Sequence, residues 1–358
     1  MKNTIINILF IFFFTGVVSA QTAAVKQVTP AAPKPPAQTS PDPSIKMTYN
    51  KGLFDFSKND YTAAMNSFTQ VISSSPNFGP AYLGRANTYL RLKDYRKATD
   101  DYQKALALDS TDEKSWYGLG QADIMLGNKG QAITAFTHVT GKNPNNGDAW
   151  YCLGDLQAHI ANYKDALNDF NFTLTAKPNF AEAYNDRGVC NYALGNYKAA
   201  ADDYRQAVGL TKTPEAYNNL GTAEFKAGDD EAAIGAFSQA VTLNPKYTDA
   251  YNNRGAVYID KKNYKDALDD LNKAIELDST SIYAYGNRAL AEYKMNGMVK
   301  AKADCDKAIK LKPEYGIAYL NRGIIEEEMR KDKDACADWQ KASDNGVSVA
   351  TDYVKECK

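Results

Sequence analysis

The chain has 358 residues and carries 42 Lys and Arg against 43 Asp and Glu, a formal net charge of −1. That balance lacks the basic footprint of a nucleic-acid binder, and two histidines with five scattered cysteines, none in a C-x-x-C, offer no zinc set. The length would ordinarily mean two or three globular domains, but an internal repeat overrides that expectation, because a quasi-linear stack absorbs about 300 residues without a central core.

The first twenty residues read as a signal peptide: Lys2 is a short positive region, Ile5 to Phe14 is apolar apart from Asn7, and Val18-Ser19-Ala20 supplies small residues before a cut. The run is too short for a confident membrane span, so no span is expected after cleavage. No cysteine follows it to accept a lipid. The mature protein is expected to begin at Gln21 and to be exported, to a periplasm or to the cell surface and beyond. Residues 21–44 follow as a linker in which Pro30, Pro33, Pro35, Pro36, Pro41 and Pro43 sit among Ala, Gln, Thr and Ser. That composition predicts an extended, disordered tether.

From about Ile45 to Ala342 one pattern returns nine times. Its aromatic column is Tyr82, Trp116, Trp150, Tyr184, Tyr217, Tyr251, Tyr285 and Tyr319, spaced by 34 residues except for one step of 33. The expected units lie near 45–78, 79–112, 113–146, 147–180, 181–213, 214–247, 248–281, 282–315 and 316–346. Each predicts two helices. Four residues after the aromatic comes a small residue, as at Gly120, Gly154 and Gly255; glycine costs a helix about 1 kcal/mol relative to alanine, so its recurrence implies close helix approach. On the second helix Ala64, Ala98, Ala132, Ala166, Ala200, Ala233, Ala267, Ala301 and Ala335 form a small column. A mostly large one follows four residues on, including Phe68, Tyr102, Phe136, Phe170, Tyr204 and Phe237. A spacing of four keeps both on one face. Prolines such as Pro76, Pro144, Pro178, Pro245 and Pro313 close most units.

These columns resemble the tetratricopeptide repeat, of the exported bacterial type given the leader. Trp116-x-x-Leu119-Gly120 with Ala132-x-x-x-Phe136 and Pro144 carries the likeness, as does Trp150-x-x-Leu153-Gly154 with Ala166-x-x-x-Phe170 and Pro178. Thr48 replaces the first aromatic, Ser110 and Ser279 replace the closing proline, and one residue is missing near Thr213. The resemblance implies an all-α fold: a right-handed superhelical α-solenoid of antiparallel helix pairs, with first helices lining its concave side. Past Ala342, a turn at Asn345-Gly346 and the stripe Ala350, Tyr353, Val354 and Cys357 predict a C-terminal capping helix over 347–358.

A coupled pair of columns predicts ion pairs between the helices of a hairpin. Arg85, Arg187, Arg254, Arg288 and Arg322 are each followed sixteen residues later by Asp101, Asp203, Asp270, Asp304 and Asp338. Where Leu119 and Leu220 replace the arginine, Ala135 and Ala236 replace the aspartate; Leu153 with Asp169 is the exception. Among the cysteines, Cys336 and Cys357 can meet in a disulfide between the last repeat and the cap, Cys152 and Cys190 offer a second pairing, and Cys305 reads as a buried thiol.

Nothing in the sequence nominates chemistry. Gly118-Leu119-Gly120 lacks the strand and third glycine of a dinucleotide loop, and no G-x-x-x-x-G-K, H-E-x-x-H or nucleophile elbow occurs. Asn171-Phe172-Thr173 is a glycosylation sequon placed on a predicted helix. No catalytic residue, metal or cofactor is assigned, and the chain is read as a non-enzyme. The concave side supplies the candidate partner-binding residues: Tyr117, Met125, Tyr151, Asn185, Tyr192, Asn218, Phe225, Asn252 and Tyr293. Aromatic area with interspersed amides suits an extended peptide. Asp148, Asp155, Glu182, Glu215, Asp249 and Asp260 outnumber basic neighbours there, which favours neutral or basic segments. The expected function is a non-catalytic protein–protein interaction scaffold of the cell envelope. The alternatives are a small-molecule or glycan receptor using the aromatic wall, and self-association through an unsealed first repeat.

Overall fold

A computed structural model describes residues 42–357. The leader and the tether up to Pro41 lie outside the described residues. The first helix opens at Pro43, two residues before the expected start of the array, because Asp42 accepts a hydrogen bond from Ser44 N at 2.8 Å and proline is pre-shaped for the first helical position.

The described residues form nineteen helices and no strand, in two compact units that divide between Cys190 and Asn191. The N-terminal unit holds α1 (Pro43–Ser57), α2 (Tyr61–Ser74), α3 (Gly79–Arg91), α4 (Tyr95–Leu108), α5 (Glu113–Leu126), α6 (Lys129–Lys142), α7 (Gly147–His159), α8 (Tyr163–Ala176) and most of α9 (Ala181–Ala193). The C-terminal unit continues with α10 (Tyr197–Leu210), α11 (Pro214–Ala227), α12 (Asp230–Leu243), α13 (Thr248–Asp260), α14 (Tyr264–Leu277), α15 (Ile282–Lys294), α16 (Met298–Leu311), α17 (Gly316–Glu328), α18 (Asp332–Asp344) and the short α19 (Ala350–Lys355). Within each unit the chain is an α-solenoid of helical hairpins, each hairpin packed on the one before.

The core of each hairpin is a ring in a socket. A Cβ added to Gly52, Gly120, Gly154 or Gly221 would lie 2.7–2.8 Å from the ring sixteen residues later, on Phe68, Phe136, Phe170 and Phe237. The glycine therefore makes room for the large residue of its own second helix, while the alanine column, fully buried throughout, lets the helices close. The turn inside each hairpin needs one left-handed residue: Asn59, Lys93, Gly127, Ala161, Gly195, Gly228, Lys262, Asn296 and Arg330 all have φ between 59° and 89°.

The aromatic column has two uses. Where arginine follows three residues later, the guanidinium lies over the ring, at 5.9 Å for Arg85 on Tyr82 and 5.5 Å for Arg322 on Tyr319. At Trp116 and Trp150, where leucine takes that place, the ring stacks on the second helix: Trp116 on His138 at 4.0 Å and Trp150 on Phe172 at 4.4 Å. Each indole N–H then donates to a carbonyl six residues back, Ser110 or Pro144, at 2.8 and 2.9 Å. His138 is thus a packing residue.

Four arginines of the column, Arg85, Arg254, Arg288 and Arg322, each span three helices. Arg254 donates from Nε and Nη2 to Asp270 at 2.7 Å, and from Nη1 to Ser238 Oγ at 2.8 Å on the previous second helix. Arg85 joins Asp101 and Thr69, Arg288 joins Asp304 and Asn272, and Arg322 joins Asp338 and Asp306 in the same way. The partners stand sixteen residues on either side, and the earlier of the two was not anticipated. Arg187 donates to Asn171 at 2.7 Å, and Asp203 accepts from Asn191 at 2.9 Å; these two stand in different units.

The stack ends at α19. Tyr353 packs on Trp339, and Cys336 on α18 is bonded to Cys357 just past α19. Cys152, Cys190 and Cys305 carry no disulfide, so the alternative pairing, Cys152 with Cys190, is not made. In the sequon, which lies within α8, Thr173 is fully buried and its hydroxyl donates to Asp169 O.

Candidate partner-binding face

Successive first helices touch one another, α1 to α3 to α5 in one unit and α11 to α13 to α15 to α17 in the other, so they line the tighter side of each stack. What they share is a row of side-chain rungs, each linking one first helix to the next at a spacing of 35 residues. In the C-terminal unit Asn253 donates to Asn218 Oδ1 at 2.9 Å and Asn287 to Asn252 Oδ1 at 3.0 Å. In the N-terminal unit the Tyr151 hydroxyl donates to Asp186 Oδ2 at 2.8 Å, and the Tyr117 hydroxyl meets the Cys152 thiol. Earlier in that unit glycine takes the later position: Gly84 leaves room for Phe68, and Gly118 for Tyr102.

This row corrects the assignment of several candidates. Asn218 and Asn252 are buried and hold helices together, because an amide on a first helix reaches its neighbour before it reaches solvent. Tyr117 and Tyr151 use their hydroxyls as rungs, and their rings pack on Phe136 and Phe170. Asn185 is half-buried and donates to Asp186 at 3.1 Å. Surface remains at Met125, which is 56% exposed, and at the half-buried rings of Tyr192, Phe225 and Tyr293. The sequence carried a signal for the rungs, a polar residue one place beyond the repeat length, but the changing residue type along the row hid it.

In the C-terminal unit the row has one gap. At the step after Asn287 the acceptor position is Gly286, and Asn321 stands opposite with its Oδ1 buried and without a hydrogen-bond partner. A Cβ added to Gly286 would meet only the Tyr315 hydroxyl, at 4.0 Å. Tyr283 and Tyr315 form an edge-to-face pair nearby, 6.2 Å between centroids.

Acidic residues near this face divide by role. Asp148, Glu182, Glu215 and Asp249 lie in the first turns of first helices, where they complement the helix dipole; Asp148 also pairs with Lys177. His159 Nδ1 lies 2.7 Å from the Asp155 carbonyl oxygen and 3.1 Å from its Oδ1, and burial pushes the Asp155 carboxyl above the usual range. Burial raises Asp186 too, against the bond from Tyr151 that lowers it. Among the described residues no group of three or more His, Cys, Asp or Glu could hold a metal ion, and no helix is long and apolar enough to cross a membrane.

Tetratricopeptide repeat models match residues 45–78, 79–112, 117–170, 160–217 and 248–281, and a TPR repeat model matches 221–262. Small glutamine-rich tetratricopeptide repeat-containing protein 2 of Saccharomyces cerevisiae is 30% identical over 95 residues, 26% of this chain and 27% of that protein. DnaJ homolog subfamily C member 7 of Mus musculus is 32% identical over 81 residues, 23% of this chain and 16% of that protein. The matched stretches thus span about a quarter or less of the relatives' length. A chain from the crystal structure of the APC/C hetero-tetramer Cut9-Hcn1 superposes with a TM-score of 0.53 at 15% identity, over 84% of this chain and 59% of that one, a likeness of fold alone.

Proposed function

Since the chain is built of tetratricopeptide repeats, we propose that it is a non-catalytic scaffold that holds an extended segment of a partner protein along its first helices. The observation that carries this reading is the gap in the C-terminal unit, where the orphaned Asn321 oxygen stands opposite the bare backbone of Gly286. A buried acceptor without a donor costs about 1–3 kcal/mol. A backbone N–H of a bound segment removes that cost, and the Tyr283 and Tyr315 rings flank it. Met125, Tyr192, Phe225 and Tyr293 add apolar area, and the surplus of carboxylates selects for neutral or basic segments.

The scaffold works outside the cytoplasm on this reading. The leader-like Lys2 to Ala20 supports it, and so does the Cys336–Cys357 bond, which suits an oxidising compartment.

Gly286→Asn fills the gap with the rung used at the two preceding steps. It is expected to raise the melting temperature of the C-terminal unit while weakening capture of partner proteins from an envelope extract. Undiminished capture by Gly286→Asn and by a Met125→Ala, Tyr293→Ala variant would overturn the proposed face. A thermal-shift response to sugars but not to peptides would replace the scaffold with a glycan receptor. Export is tested by N-terminal sequencing of the protein from cell fractions, where Gln21 is expected as the first residue and a retained Met1 would remove the export reading.

A further inference from the structure

Every first helix after α1 keeps two columns buried against the second helix before it. Ala149, Ala250 and Ala318 represent one and Leu156, Val257 and Ile325 the other, none more than 3% exposed. They pack on residues such as Val139, Ala240, Ala308, Phe237 and Cys305 of the preceding second helices. In α1 those two columns hold Met47 and Phe54, which are 71% and 60% exposed, and Leu53 beside them is 43% exposed. A terminal repeat with nothing to cover normally turns a polar face outward. This one carries two of the largest exposed apolar side chains in the described residues.

We infer that this face of α1 is the interface between two copies of the chain, paired about a twofold axis with the two α1 helices antiparallel. A further repeat stacked in the usual register is a poor occupant, since that register holds alanine at Ala149, Ala250 and Ala318 where α1 has Met47, and aliphatic residues such as Leu156, Val257 and Ile325 where it has the larger ring of Phe54. Head-to-tail growth is closed at the other end, where α19 and its disulfide cover the last hairpin. The residues immediately before α1, 21–41, carry five prolines and no Leu, Ile, Met or aromatic side chain to bury against it.

Self-complementarity favours a second copy. Reversal about the point between Asn50 and Lys51 sets Met47 opposite Phe54 of the second copy, and Phe54 opposite its Met47, as a twofold contact requires. The same reversal brings Lys58 near Asp42 of the other chain, opposite charges at both ends of the contact. Lys51, close to the axis, is already paired with Asp55 at 2.6 Å and does not repel its copy.

Light scattering on the full chain at micromolar concentration is expected to give twice the mass of one chain. Phe54→Glu should give the mass of one chain with an unchanged helical signal, and Lys58→Glu should weaken association several-fold. Should Phe54→Glu lose helix content, Met47→Lys reads the same surface. Mixing Met47→Cys chains with Phe54→Cys chains under oxidation should yield the mixed disulfide ahead of either like pair. A single-chain mass for the unsubstituted protein overturns the inference. So does a dimer that Phe54→Glu and Met47→Lys both leave intact, and like pairs forming as readily as mixed ones overturn the register.

Discussion

An arginine taken from its column leaves a carboxylate behind, and the chain itself shows which replacement is tolerated: leucine, when alanine takes the place of the aspartate. Arg254 and Asp270 have side chains only 17% and 9% exposed, so Arg254→Leu strands a mostly buried acceptor and is expected to cost about 2–3 kcal/mol. Adding Asp270→Ala recreates the combination at Leu119 and Ala135, which share one apolar cluster, and should recover most of that loss. Urea unfolding of the three proteins checks this; a double variant no more stable than the single would show that the pair does more than satisfy itself. Asp169 tests the same logic from the other side. It stands opposite Leu153 without an arginine, and burial with the nearby Asp165 charge pushes its carboxyl up to about 7. A carboxyl whose folded pKa exceeds the unfolded one binds its proton more tightly in the native state, so α8 should lose stability as pH rises from about 4 to about 7. Asp169→Asn should flatten that dependence in hydrogen exchange of α8 amides, and Leu153→Arg should reverse it. The ion pairs were legible in the sequence because both partners keep their residue type at a fixed offset. The first-helix rungs were not, since Tyr–Cys, Tyr–Asp and Asn–Asn share a geometry but no letter.

The helices themselves follow from their ends. Asp60, Asp94, Asp112, Asn146, Thr213, Asp229 and Ser281 each cap the helix that follows, accepting from a backbone N–H three residues on. These signals, with prolines at the openings of α1 and α11, make the boundaries readable to within a residue or two. The turn between the helices of a hairpin was less readable, because the left-handed position accepts glycine, asparagine, lysine, arginine and, at Ala161, alanine. Ala161 has φ of 59° and no side-chain group to compensate. Gly127, Gly195 and Gly228 occupy the same position elsewhere. Left-handed backbone costs an ordinary residue about 1–2 kcal/mol, part of which glycine returns as extra freedom in the unfolded chain. Ala161→Gly is therefore expected to stabilise the N-terminal unit by about 1 kcal/mol, seen as a higher melting temperature, with Ala161→Val moving it the other way. A fall in melting temperature with Ala161→Gly would mean that the alanine methyl makes a contact worth more than the strain.

At the scale of the molecule, one number, the repeat length, carries most of the fold: it sets the helix pairs, their order and the sockets between them. It says less about the partner face, because the inward positions serve packing and binding together, and only the packing of neighbouring helices separates the buried Asn218 from the exposed Met125. It also says nothing of where the chain divides into compact units, which falls inside α9 without a break in the pattern. A stack in which hairpins meet only their neighbours is weakest where a neighbour is missing, so the ends govern how it opens. At the C-terminal end α19 has only six residues, too few to persist alone, and Ala350, Tyr353 and Val354 hold it on Trp339 and its surroundings. The Cys336–Cys357 bond closes a loop of 21 residues, worth about 3 kcal/mol through lost freedom of the unfolded chain. Reduction, or Cys357→Ser, should therefore release α19 first and then expose the apolar side of α17 and α18, while α13 and α14 keep their protection. Hydrogen exchange resolved by peptide measures that gradient directly. Uniform loss across the C-terminal unit would show that its hairpins unfold as one body, and unchanged protection in α17 and α18 would show that packing on Trp339 suffices without the bond.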